Sequence, residues 1–325
     1  MNISIICISW NSLTYVKQTL PKLLNLNNLY EIIYVDNGST DGTVQYIKEE
    51  IEKNKDKNIK LIENKENLGI SKAKNQGVKQ STGEYLLLLD DDMLIENKEY
   101  LNNISKHYKQ LQNPGFLMPF FIDKEEKENT RSYGTYYYLF GIHVKKPKIN
   151  IQKIMEYEKD IPIVINQGGA MFIKKSIWNT LGGFDESQKF NLDDDDISTR
   201  SMIYGYNNYL YNKEYIVHLG LKKRADKNRY AWNDKTYFSG KSKLIWKNFS
   251  IPTIIWMWFF SSGKIFAESI YHTLVYRHLP ILFSLFESIY IFFKDLPDTL
   301  KKRKEIQKNR VVKDIEILKL KTPQY

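Results

Sequence analysis

The run Tyr85-Leu86-Leu87-Leu88-Leu89-Asp90-Asp91-Asp92 constrains this chain more than any other stretch. A short apolar run bounded by polar residues suits a strand covered on both faces. Three carboxylates then stand at its C-terminal end, and in open α/β sheets ligands bind just outside the carboxyl ends of the strands. Adjacent carboxylates repel and call for a compensating cation. A hard divalent ion holding a diphosphate has the right chemistry, because Mg2+ or Mn2+ takes oxygens from one or two carboxylates plus phosphate. The competing reading is a solvated aspartate turn that caps a helix starting near Glu96.

The residues before this run alternate in period. Strands are predicted at 3–8, 31–35 and 60–63, and helices at 13–24, 43–51 and 71–80. Such alternation predicts an α/β fold with a mostly parallel, Rossmann-like central sheet and right-handed crossovers. Neither G-x-G-x-x-G nor G-x-x-x-x-G-K-[ST] occurs, so the glycine-rich phosphate loops are missing. The strand ends would line one edge. Asp36 there accepts either the imide N–H of a nucleobase or the backbone of an Asx turn. Lys74 meets a diphosphate, a ribose or solvent, and Asn67 and Gly69 suit a turn.

A chain of 325 residues with 42% hydrophobic content has room for one large domain plus an appendage, each with a core. The single cysteine, Cys7, excludes an intramolecular disulfide framework and reads as a small buried hydrophobe in a reducing compartment. No basic segment precedes the first strand, so no secretory signal is expected. The net charge of +10 needs a partner. From Lys294 to Tyr325 ten Lys and Arg stand against five Asp and Glu, a net of +5. An anionic membrane surface or a phosphorylated substrate fits this. Nucleic acid is not expected, because no zinc-ligand, basic-zipper or aromatic-glycine RNA-binding pattern accompanies the charge.

Residues 113–148 read as aromatic and irregular, with Tyr136, Tyr137 and Tyr138 forming either an acceptor wall or core. Gly168 and Gly169 precede a strand at 171–173 and would let backbone approach a substrate closely. After Gly182-Gly183-Phe184-Asp185 comes Asp193-Asp194-Asp195-Asp196, then Arg200. Acids favour a helix N-terminus, yet four exceed what a cap needs. Their repulsion raises at least one pKa, which suits a general base. Asp196 and Arg200 lie one turn apart, a pairing worth about 0.2–0.5 kcal/mol on a helix surface. His218 follows a short strand. Lys222, Lys223 and Arg224 form either a flap over phosphates or a solvated loop.

Four motifs in order carry a resemblance: Ser4 to Asn11, Val35 to Thr43, Asn67-Leu68-Gly69 with Lys74-Asn75, and Gly83 to Asp92. Together they resemble a family 2 glycosyltransferase, an inverting enzyme of the GT-A fold. The resemblance implies a nucleotide-diphosphate sugar donor, a Mn2+ or Mg2+ cofactor, and a glycan or lipid-linked acceptor. Asp36 would meet the nucleobase and Asp91 the ribose side. Asp90 opens the D-x-D element, Asp92 holds the metal, and His218 adds a ligand to metal or diphosphate; neutral imidazole suits Mn2+ better than Mg2+. Ser9, Asn11, Asn67, Gly69 and Lys74 complete the donor edge. The family follows its Gly-Gly-Phe-Asp element with a Glu-Asp pair whose aspartate is the base. Here Asp193 replaces the Glu, and four successive aspartates leave the register open. Anchoring on Arg200 makes Asp194 the base beside Asp193. The Gln-x-x-Arg-Trp element of processive synthases is missing, which favours addition of a single sugar.

The composition changes after about Trp232. Residues 251–260 and 279–293 are apolar, but each falls short of the roughly 18–20 residues that cross a bilayer. Trp and Tyr flanked by Lys and Arg suit a membrane interface, and Lys301-Lys302-Arg303-Lys304 would each gain about 1 kcal/mol near anionic headgroups. The expected organisation is a catalytic GT-A domain over 1–235. A helical, amphipathic extension over 236–325 follows, peripheral on the cytoplasmic face of a membrane. A soluble helical subdomain or a dimer interface is the alternative for the extension. For the whole chain the alternative is a non-catalytic, membrane-anchored module that binds sugar nucleotides or glycans.

Overall fold

The computed structural model describes residues 2–132, 137, 149–165, 168–188, 192–220 and 227–320. Strand and helix alternate at first as expected: β1 (Ile3–Ser9), α1 (Leu13–Leu24), β2 (Glu31–Asp36), α2 (Thr43–Lys53), β3 (Ile59–Glu63), α3 (Ile70–Gln80) and β4 (Tyr85–Asp90). Then come β5 (Met93–Leu94), α4 (Tyr100–Gln110), β6 (Pro114–Asp123), β7 (Glu126–Ser132), α5 (Ile151–Glu156), β8 (Ile161–Ile163), β9 (Ala170–Lys174), α6 (Lys175–Leu181), α7 (Asp193–Ile203) and β10 (Asn207–His218). Five helices close the described chain: α8 (Lys227–Asn248), α9 (Ile251–Tyr276), α10 (Pro280–Lys294), α11 (Leu296–Lys308) and α12 (Asp314–Lys319).

The sheet runs β3-β2-β1-β4-β9-β6-β10-β5, with β7 on β6 and β8 on β10. β1 pairs in parallel with both β2 and β4, and β10 in parallel with β6. β9 enters antiparallel beside β4. This is the expected GT-A arrangement, mostly parallel with antiparallel insertions. Period-2 geometry sends alternate residues to opposite faces, and both faces are covered. Ile3, Ile5 and Cys7 of β1 pack with α1, α2 and α4, while Ile6 and Ile8 pack with α3, α6 and α7. A Cβ at Gly77 would overlap Ile6 Cγ2, so glycine there lets α3 lie close on the sheet.

Three local expectations need correction. The acid turn caps no helix near Glu96: it feeds β5, which pairs with β10 through Leu94–Val217 and Met93–His218, and α4 starts only at Tyr100. Part of the segment expected to be irregular forms the β6–β7 hairpin, because inward packing of residues such as Phe116 and Phe120 outweighs its lack of clean alternation. The strand before His218 is not short but twelve residues long. The expected division at 235/236 falls inside α8, which packs against α7 as well as α9, α10 and α11.

Candidate active site

The tips of β1 and β2 are tied together by short polar side chains. Asp36 is buried; its Oδ1 accepts from Ser9 Oγ (3.1 Å) and Ser39 Oγ (2.5 Å), and its Oδ2 from the amides of Gly38 (3.0 Å) and Ser39 (2.8 Å). A carboxylate offers about four acceptor sites, so Asp36 holds the Asx-type loop with all of them. Asn11 clamps the same loop: its N–H donates to Ser39 Oγ and its Oδ1 accepts from Thr40 N, both at 2.8 Å. Asn67 Oδ1 accepts from Gly69 N (2.9 Å) and faces Asn37 Nδ2 (3.4 Å), which brings the turn before α3 to the same edge.

The three acids after β4 diverge. Asp90 stays partly exposed and pairs with Lys74 Nζ at 3.0 Å. Burial and the charges of Asp92 and Asp90 push Asp91 up to about 8. Its carbonyl accepts from Thr19 Oγ1 of α1 at 3.0 Å. Asp92 Oδ2 meets His218 Nε2 at 3.2 Å. The β5–β10 pairing makes this contact, joining residues 126 positions apart: Leu219 N also donates to the Asp92 carbonyl at 2.8 Å. Among the described residues no three His, Cys, Asp or Glu side chains converge into a ready metal cage.

Lys74 links the strand tips to the acid cluster. Its ammonium is 1% exposed and donates to the Gly168 carbonyl at 2.7 Å while pairing with Asp90. Burial alone would push it down. The charges of Asp90, Asp193 and Asp194 more than offset that and hold it above the ordinary lysine value. The other end of the Gly168 residue donates its N–H to Asp194 Oδ2 at 2.8 Å. One amino acid thus separates Lys74 from Asp194. A Cβ at Gly169 would overlap the Met93 methyl, so this turn needs small residues to reach the edge.

All four aspartates lie in the first turn of α7, where the helix dipole favours them, but their surroundings differ. Asp196 is fully buried: Oδ2 accepts from Arg200 Nε (3.2 Å) and Nη2 (2.7 Å), and Oδ1 meets Asn248 (2.7 Å) and Lys247 (3.1 Å). Burial opposes its charge, yet Arg200 and Lys247 hold its pKa below the usual carboxylate value. Asp195 faces buried Lys241, and burial with the charges of Asp193 and Asp196 pushes it up to about 7. Asp193 is buried and also pushed up to about 7, by burial and then Asp194, against the pull of Lys74. Asp194 alone of the four is partly exposed. Burial and the Asp195 charge push it up to about 7, opposed by the Gly168 N–H.

The structure therefore gathers Ser9, Asn11, Asp36, Asn67 and Gly69 into one loop cluster, pairs Asp92 with His218, and joins Asp90 to Asp194 through Lys74. It does not place Asp90 beside His218 in a closed ligand set. Tyr137 is buried, its hydroxyl 2.8 Å from Thr199 Oγ1, so it is core and not an acceptor wall. Tyr136, Tyr138, Lys222, Lys223 and Arg224 lie outside the described residues.

Sequence reasoning missed the group that fixes α7 from behind. Lys247 is buried between Asp185 and Asp196, and Lys302 donates to Asp185 Oδ1 at 2.7 Å. Burial works against the Asp185 charge, but both lysines hold its pKa well below the usual range. Asp185 belongs to the Gly-Gly-Phe-Asp element, which was the available signal. Its partners lie 62 and 117 residues away and carry none.

Residues 4–181 match the family model described as Glycosyl transferase family 2. An uncharacterised glycosyltransferase of Haemophilus influenzae is 36% identical over 96 residues, covering 29% of this chain and 38% of that relative. The matches thus span less than two-fifths of the first such relatives. Two solved structures share the fold. The Staphylococcus aureus TarS fragment 1–349 superposes with a TM-score of 0.57 at 14% identity, covering 95% of this chain and 90% of that one. The mannosyltransferase PcManGT of Pyrobaculum calidifontis, solved with GDP-Man and Mn2+, gives 0.55 at 17% identity, covering 93% and 86%. With more than half its length matched by that model, this chain belongs to glycosyl transferase family 2.

Proposed function

We propose that the chain transfers one sugar, with inversion, from a nucleotide-diphosphate donor to a hydroxyl of a glycan or lipid-linked acceptor. The observation that carries this reading is the single partly exposed carboxylate of α7, Asp194, held one amino acid from the Lys74–Asp90 pair at the donor edge. The donor lies across the tips of β1, β2 and β4, with Asp91 on the ribose side and Asp36 beside the base. Because Asp36 already fills its acceptor sites, its part there is to shape the loop that meets the base.

Asp194 removes the acceptor proton as the acceptor oxygen attacks the anomeric carbon. The carbon–oxygen bond to the diphosphate breaks on the opposite face, and the nucleoside diphosphate leaves with that bond's electron pair. A pKa near 7 matches a base to neutral pH. Asp193 sits behind it and raises the negative field around the developing charge.

Asp92 Oδ2 and His218 Nε2 face each other at 3.2 Å, one carboxylate oxygen and one imidazole nitrogen. That donor set fits Mn2+ or Mg2+ completed by phosphate oxygens. When bound, such an ion supplies Lewis-acid neutralisation of the departing diphosphate. We also assign the chain a peripheral position on the cytoplasmic face of a membrane.

Thermal stabilisation by UDP, GDP, dTDP and CDP, each with Mn2+, Mg2+ or chelator, tests the donor half. A ligand of the folded state at a hundredfold excess over Kd adds about 2.7 kcal/mol. Asp194→Asn should keep that stabilisation and lose transfer. Retained turnover would remove Asp194 from the base role.

A further inference from the structure

Helices α9 and α10 are apolar on two faces. Inwards they bury Ile254, Met257, Ile281 and Leu285 beside small polar residues such as Ser261 and Ser288. Outwards, α10 presents Leu279, Phe283, Phe286, Tyr290 and Phe293. These positions are spaced 4, 3, 4 and 3 and so form one narrow stripe, and each is more than half exposed. On α9, Ile251, Ile255, Phe259, Ile270 and Leu274 make a second stripe, Phe259 and Leu274 reaching 70% and 71% exposure. Fifteen of the eighteen exposed large apolar side chains among the described residues fall between Ile251 and Leu300; before Ile251 only Trp10 does so.

A contiguous apolar surface of this kind marks a docking face, and its charges select the occupant. Over α9 to α11 the exposed bases Lys264, Arg277, Lys294, Lys301, Lys304 and Lys308 outnumber the exposed acids Glu268, Glu287, Asp298 and Glu305, and Arg277 lies between α9 and α10. A second copy in a two-fold contact would present the same basic groups to itself. Anionic headgroups complement them. Tyr271 and Tyr290, both exposed, have the apolar body and polar tip that suit the headgroup level. No described helix is long and apolar enough to cross a membrane.

We propose that α9 and α10 lie in the plane of an anionic bilayer, sinking these two stripes into the boundary between headgroups and acyl chains. This specifies the peripheral attachment included in the reading above and does not depend on the transfer chemistry.

The test uses the full chain in flotation with vesicles of phosphatidylcholine, with and without phosphatidylglycerol. The protein should float with the phosphatidylglycerol vesicles. The triple variant Phe283→Ser, Phe286→Ser, Tyr290→Ser should lose roughly tenfold or more of that partition at an unchanged thermal midpoint. If it misfolds, the pair Ile255→Ser, Leu274→Ser on α9 provides the same comparison. Wild-type protein left in the dense fraction with both vesicle types overturns the proposal, as do variants that float equally well. So does a lipid-free dimer, seen by light scattering and dissociated by the same variants, in a protein that binds no vesicles. Nucleotide stabilisation separates this from the transferase reading. Intact stabilisation without flotation sinks the docking face alone, and flotation without stabilisation sinks the donor site alone.

Discussion

Helix α7 buries ten of its eleven residues, an arginine and three carboxylates among them, and leaves only Asp194 within reach. Helices α9 and α10 bury one apolar face, with serines and a threonine in it, and leave further phenylalanines and leucines outside. Both depart from the water-soluble pattern, in opposite directions. In α7 burial is tolerable because each carboxylate has a cation near it: Asp196 has Arg200 and Lys247, Asp195 has Lys241, and Asp193 has Lys74. In α9 and α10 no described residue covers the outer stripes. The first departure holds one reachable carboxylate in place, and the second leaves an apolar surface open to a partner.

The contrast can be broken in four ways. The largest effect belongs to Asp194→Asn. Loss of a general base should cost about 10²–10⁴-fold in kcat, read from initial rates with donor affinity unchanged, whereas Asp195→Asn should leave Asp194 and most turnover in place. Next, Lys247→Met removes the shared cation of Asp185 and Asp196. Breaking a buried pair costs about 3–5 kcal/mol, which urea unfolding would reveal. A loss under about 1 kcal/mol, the range of exposed pairs, would mean the network does not hold α7.

A smaller, graded effect comes from pH. Asp193 and Asp194 are raised to about 7, against about 3.9 for an unfolded aspartate. The folded state therefore holds more protons between these values, and these two groups make stability fall as pH rises through that window. Activity should climb over its upper end as Asp194 ionises. Asp185 and Asp196 are shifted the other way. Their contribution is present above the unfolded value and is lost in acid. Opposite slopes in kcat/KM and in unfolding free energy across pH 5–8, roughly the range where these acids titrate, would show the site acids dominating. Last, Leu274→Ser should change lipid-free stability by less than about 0.5 kcal/mol, as surface substitutions do. A loss of several kcal/mol in calorimetry would show that the α9 stripe is covered by protein.

Much of the α/β part was readable in the chain. The strands at 3–8, 31–35 and 60–63 and the helix at 13–24 appear within one residue of their observed bounds, because two periodicities and their turn residues are local signals. Asp194 was singled out as the base only through Arg200 as an anchor, since four identical acids have no internal register. The structure adds that, of the four, Asp194 alone is not buried. The Lys74 reading as a ligand-facing or solvated group needed the fold. Its partners, Asp90 and Gly168, lie 16 and 94 residues away, and nothing in the composition of α3 shows that its face is sealed.

Sequence by itself determined the alternation that makes the sheet, the three acids at the end of β4, the acid-rich start of α7 and the apolar, basic character of the last third. These follow from near-neighbour patterning, where a side chain's chemistry and spacing fix the local structure. Tertiary structure alone decided which acid stays reachable and that His218 meets Asp92 through a two-residue strand. It also decided that Lys247 clamps two aspartates from behind, and that α9 and α10 leave a set of large apolar residues exposed. Each of these depends on groups far apart in the chain, and burial and Coulomb partners become defined only when the backbone has brought them together.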